Sequence, residues 1–174
     1  MSERNGTVKH PVESVRLQTD HGILGDSHAA NWHRQISLLA EESIEKMRAM
    51  GVPDLTAGKF AENITTKGIV LHSLPVGTRL RIGPCLTEVT QIGKKCHHDC
   101  EIFQKVGMCI MPTEGIFVKV LSEGEVRPGD EIRVVEQRGA EAVSYTHLTL
   151  PTMYRGLTSV SAASTRKERR TKQQ

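Results

Sequence analysis

Apolar residues in this chain recur in short runs, each cut off by a turn rich in glycine or proline, and almost none continues long enough for a helix. Residues 7–12 and 15–17 alternate roughly between apolar and polar, with a turn at His21-Gly22. Residues 35–39 are apolar enough for a buried strand, and 60–65, 78–82, 86–90, 116–121 and 131–135 read as further strands. Gly83-Pro84 joins two of these as a hairpin. Pro75-Val76-Gly77 and Arg127-Pro128-Gly129-Asp130 each precede a strand, as corner turns do. Only residues 41–50 carry clear helical spacing, with Ile44, Met47 and Met50 on one face. Glu41 and Glu42 open that helix, Lys46 and Arg48 lie later, and Gly51 with Pro53 closes it, an order that suits the helix dipole. The fold class predicted is mostly β with a few helices, an antiparallel β-barrel. Neither βαβ alternation nor a GxGxxG or Walker loop is visible, which disfavours nucleotide-binding α/β folds.

Length and charge narrow the classes further. The 174 residues suit one domain, and no apolar stretch approaches the ~20 residues that span a bilayer. The first residues, Met1 to Gly6, form no apolar signal core, so the four cysteines read as reduced thiols for chemistry or metal in a cytoplasmic protein with no membrane partner. The net charge of +3 misleads until it is located: residues 165–172 alone carry five basic residues and one acidic, leaving the rest near neutral. Nothing global argues for a nucleic-acid partner. Beyond residue 140 the apolar periodicity stops. The expected organisation is a domain over 1–140 and a disordered tail over 141–174. Residues 143–152 resemble the translation of a sequencing adapter, which reads that tail as an assembly artefact.

Three segments carry the polar chemistry. In the third, Gly93-Lys94-Lys95-Cys96-His97-His98-Asp99-Cys100, continuing to Cys109, the question is whether Cys96 ionises. A free thiol is only about 3% thiolate at pH 7, and a drop of two pKa units needs roughly 2.7 kcal/mol. One ammonium about 6 Å away supplies up to about 2.8 kcal/mol at an effective dielectric of 20. On an extended chain, alternation puts Lys94 on the face of Cys96 and Lys95 on the other. Against this stands a Cys96 that is simply a small packed residue. Cys96, Cys100 and Cys109 with His97 could instead assemble a tetrahedral zinc site, although the spacing is not a standard one. Cys85, beside Pro84, reads as structural. The first segment, residues 25–35, places His28, His33 and Arg34 near a turn, where the guanidinium fork or a protonated histidine suits an anion. In the second, residues 58–68, Asn63, Thr65 and Thr66 offer neutral hydrogen-bonding groups that suit a heterocycle, a phosphate or equally a tight turn.

Five stretches in fixed order resemble the MOSC domain, the module named for the C-terminal part of molybdenum-cofactor sulfurases, in its small stand-alone bacterial form. They are Gly25-Asp26-x-His28-Ala29; residues 33–39; residues 60–69; residues 74–83; and Glu88-Val89-Thr90-Gln91 leading into Cys96. The resemblance implies a MOSC-type β-barrel, binding of the molybdenum cofactor (a molybdenum-bearing pterin with a phosphate), and a cysteine that carries sulfur or meets the metal. Cys96 matches that cysteine, with Lys94 favouring its anion. His28, Arg34, Asn63, Thr65, Thr66 and Lys95 are the expected cofactor contacts. No pyridoxal-phosphate domain is present, so a separate cysteine desulfurase is the expected sulfur donor, and a molybdenum enzyme or cofactor-synthesis protein the acceptor. The alternatives are a molybdenum-dependent reductase of N-hydroxylated compounds and a non-catalytic zinc-binding module.

Overall fold

The computed structural model describes residues 1, 8–52, 54–95 and 101–137. Along the chain run β1 (Val15–Gln18), β2 (Gly22–Ile23), β3 (Ile36–Ala40), α1 (Glu41–Ala49), β4 (Ile64–Thr66), a 3-10 turn (Leu71–Ser73), β5 (Arg79–Ile82) and β6 (Cys85–Ile92). Then come α2 (Glu101–Val106), α3 (Met111–Glu114), β7 (Ile116–Ser122), β8 (Gly124–Val126) and β9 (Ile132–Glu136). The expected tail over 141–174 lies outside the described residues, as do Cys96, His97, His98 and Cys100.

The strands form a six-stranded sheet in the order β4-β3-β7-β6-β5-β9, curled into a half-barrel, and a three-stranded sheet β2-β1-β8. The mostly β class read from sequence holds. β7 and β8 are nearly one strand: at Glu123, whose carboxylate accepts a 2.9 Å bond from Thr19 Oγ1, the chain leaves one sheet and enters the other. The three-stranded sheet thereby delivers Leu17, Ile23 and Val126 to the interior of the half-barrel.

Strand alternation builds two cores, one on each face of the large sheet. Ile36, Leu38 and Ala40 of β3 join Ile116, Val118 and Val120 of β7 in the first core. Leu39 and Phe117, the intervening residues, enter the second core with Ile44, Met47, Ile110 and Met111. The second core is therefore the seam between the sheet and its helices.

Four expectations change. Residues 8–12 are not a strand: they form a strap whose Lys9 is buried. The run 60–65 is extended only from Ile64, because the buried Glu62 carboxylate accepts the backbone N–H groups of Gly58 (2.6 Å) and Phe60 (3.1 Å) and folds the start into a turn. A βαβ unit does exist, since β3 and β4 pair in parallel across α1 while the other pairings are antiparallel. α1 itself stands as predicted, with Ile44 and Met47 buried, but Met50 falls at its C-terminal cap and is exposed.

Candidate functional site

The loop between β2 and β3 is organised by Asp26. Its buried carboxylate takes two bonds from Lys9 Nζ, at 2.7 and 2.8 Å, and a third from the His28 backbone N–H at 3.1 Å. An ammonium and a carboxylate this buried survive only because each has the other. Lys9 is brought there by the strap, whose Lys9 N–H donates to Gly58 O at 3.0 Å. Burial pushes the Lys9 ammonium below its ordinary value, and the Asp26 bonds push it back up. The charges of Glu62 and Lys94 also reach Lys9, so Lys9, Asp26, Glu62 and Lys94 form one electrostatic cluster.

His28 belongs to the same cluster. Its Nδ1 lies 3.5 Å from Asp26 Oδ1 and 3.3 Å from Ser27 Oγ. Burial first, then the positive charges of Lys9 and Lys94, hold its pKa below the ordinary histidine value despite Asp26. The imidazole is thus neutral at pH 7, and the anion-binding cation expected at this position is instead a neutral hydrogen-bonding group.

Residues 32–34 arch over the second-core face. The Arg34 guanidinium carbon sits 4.5 Å from the Trp32 ring centre and 5.7 Å from that of Phe117. Its Nε is buried and has no hydrogen-bond partner among the described residues. His33 is tied down on both sides, its ring to Gln91 Oε1 at 3.0 Å and its carbonyl to Thr90 Oγ1. The Gln91 amide also donates to Gly93 O. One side chain therefore joins the arch carrying Arg34 to the residue from which Lys94, Lys95 and the cysteine segment depart.

The second expected group divides. Asn63 Oδ1 accepts from Ser37 N (3.0 Å) and Ser37 Oγ (2.9 Å), which locks the 61–63 turn onto β3 and leaves only its amide NH2 for a ligand. Thr65 Oγ1 is spent on Glu62 at 3.0 Å. Thr66 Oγ1 is buried with no partner among the described residues. These three residues line an open cleft of 840 Å³ together with Lys9, Val15, Ile82, Val126 and Ile132. Ile82 and Val126 belong to the first core and Ile132 packs against it, whereas Arg34 packs on Phe117 of the second. The expected cofactor contacts thus fall on two sides of the sheet: Arg34 on one, Thr66 and its cleft on the other.

Lys94 is half-buried and Lys95 exposed. Cys85 is wholly buried, and burial pushes its thiol pKa up, with the Asp130 charge adding to it, in keeping with a structural role. Cys109 lies against the second core. Of the proposed zinc set, Cys96, His97 and Cys100 lie outside the described residues, and among the described residues no cluster of three metal-ligating side chains occurs. No helix among the described residues is long and apolar enough to cross a membrane. Lys9, Asp26, Glu62 and Gln91 were not singled out from the sequence; Asp26, Glu62 and Gln91 had a signal in that each falls in one of the five family-like stretches, and Lys9 had none.

A family model described as the MOSC domain matches residues 25–133, a span that contains Asp26, His28, Arg34, Asn63 and Lys94. The chain belongs to the MOSC domain family. Among solved structures this MOSC domain is similar to the YuaD protein of Bacillus subtilis, at 22% identity and a TM-score of 0.63, over 76% of this chain and 90% of that one. It is also similar to YiiM of Geobacillus stearothermophilus (22% identity, TM-score 0.54, 74% of this chain and 64% of that one). YiiM of Escherichia coli matches likewise (22% identity, TM-score 0.56, 75% and 67%). The match therefore spans under two thirds of the Geobacillus protein's length. At such identity these neighbours establish the half-barrel fold. Among curated proteins none matches the chain.

Proposed function

We propose that this MOSC domain binds the molybdenum cofactor or its precursor and holds or passes on sulfur through Cys96. The observation that carries the reading is the Gln91 bridge, which makes the Arg34 arch and the Lys94 segment leave the sheet at one place. The donors present fit an anionic, hydrogen-bonding ligand: a guanidinium with an orphaned buried N–H, a neutral imidazole, and the Lys94 ammonium. Bound there, the cofactor would supply a molybdenum centre able to accept a sulfur ligand. Arg34 would fork to its phosphate, and His28 would donate one neutral N–H. Lys94, two residues before Cys96, favours the thiolate over the thiol by charge alone.

In the loading step the Cys96 thiolate attacks the terminal sulfur of a persulfide on a cysteine desulfurase. The donor S–S bond breaks as the Cys96 S–S bond forms, and the donor leaves as its own thiolate, so no external oxidant is consumed. After incubation with a desulfurase and cysteine, mass spectrometry should find an adduct of about 32 Da on Cys96, absent in Cys96→Ser. A parent protein that gains no mass under these conditions overturns the carrier role. Elemental analysis of the same preparation separates molybdenum from a zinc-bound module.

A further inference from the structure

Trp32 is the chain's single tryptophan, and 37% of it is exposed beside the arch that carries Arg34. The ring is braced from several directions. Arg34 stacks on it at 4.5 Å, and the His33 ring meets it edge-on at 5.9 Å and 67°. His33 is itself held by Gln91 and by Thr90. An indole that leaves this much apolar surface in water while so firmly oriented is arranged to receive another surface. The guanidinium beside it, held between Trp32 and Phe117, keeps its plane fixed and carries a buried N–H with no partner among the described residues. Such a donor marks a missing acceptor.

We propose that Trp32 and Arg34 act as one recognition element for a planar heterocycle that bears a phosphate: the fused ring stacks on the open part of Trp32, and the phosphate oxygens accept from the Arg34 fork. The inference rests on the reading of a pterin-type ligand and adds Trp32 as the residue that selects its ring. Stacking of this kind is tolerant of substituents, while the guanidinium fork reads the oxyanion. Each half of the ligand is then recognised mainly by a different residue, so loss of either shows as a change in the ratio of the two affinities.

The test uses the full chain and two probes, a pterin carrying a phosphate ester and the same pterin without it. With a single tryptophan, its emission reports on this site alone. The phosphorylated pterin should quench it saturably, and the unphosphorylated one should bind more weakly by about tenfold, the loss expected for one charge-assisted pair. By calorimetry, Trp32→Leu should weaken both pterins by about tenfold or more. Trp32→Phe, which keeps an aromatic face, should restore most of that loss. Arg34→Lys, which keeps the charge but loses the planar fork, should weaken the phosphorylated probe more than the plain one, so that the preference between them shrinks. Calorimetric binding without quenching, parental affinity in Trp32→Leu, or binding of neither pterin overturns the proposal. Sulfur loading separates the two readings. If Cys96 takes up sulfur while Trp32→Leu binds pterin like the parent, this inference falls and the carrier reading stands. If the pterin stacks but Cys96 gains no sulfur, the reverse holds.

Discussion

His28 shows how the site's charges govern one another. It faces one carboxylate, Asp26, and two ammonium groups, Lys9 and Lys94, and burial adds to the two cations in disfavouring its protonated form. Its folded pKa therefore lies below the unfolded value of about 6.5. As pH falls through that value the unfolded chain takes up the proton first, so stability is whole above about pH 6.5 and declines below it. The urea midpoint should drop between about pH 7.5 and pH 5.5, and His28→Gln should shrink that drop; an equal drop in the variant removes the argument. Single residues were legible only where their type admits one main use. The buried Cys85 could be read as structural from its place beside a turn. Lys9 could not, because what buries it is a carboxylate 17 positions away. Asn63 was legible only in part, for a related reason. An amide suits a ligand's edge and a neighbouring backbone equally, and only the Ser37 pairing shows that its oxygen is already committed.

At the scale of elements, the long strands announced themselves and the short ones did not. β6 was read as a strand over 86–90, but its buried side is Cys85, Thr87 and Val89 while Leu86 is only partly buried, so the run was legible and its inward face was not. β4 has three residues and α3 four, too few to show any period, and the parallel β3–β4 pairing that makes the βαβ unit depends on that short strand. The turn from β6 into the cysteine segment rests on Gly93, whose N–H donates to Gly115 O at 2.7 Å. Gly93 has φ of +67°, and a Cβ there would lie 1.9 Å from Pro112 O on α3. Gly68 has a similar φ of +80° but open space around it. Gly68→Ala should therefore cost only the backbone strain, about 1 kcal/mol, and Gly93→Ala distinctly more, at least about 3 kcal/mol. Chemical denaturation of the pair isolates the close approach. Equal losses would mean that α3 yields freely and does not brace the exit of the cysteine segment.

For the whole molecule, the decisive feature is that the paired strands β3 and β7 each serve both cores. β3 gives Ile36, Leu38 and Ala40 to the half-barrel interior and Leu39 to the helical seam, and it lies between β4 and β7 in the large sheet. The same two-sidedness explains why the expected ligand contacts divide, since residues adjacent in sequence point to opposite faces of a sheet. Alternation in a strand buried on both faces is invisible in the sequence, where residues 35–39 read only as an apolar run and β3 runs over Ile36–Ala40. Two truncations test the coupling. Leu38 and Leu39 are each fully buried, and replacing either with alanine should cost about 2–5 kcal/mol. Trp32 emission senses the second-core side, through Arg34 and Phe117, whereas far-ultraviolet circular dichroism senses the sheets as a whole. If β3 binds the cores into one cooperative unit, both probes move to the same lower urea midpoint in both variants. Were Leu39→Ala to shift the tryptophan transition alone, the helical seam would be an independent unit, and the Arg34 arch could loosen without unfolding the barrel.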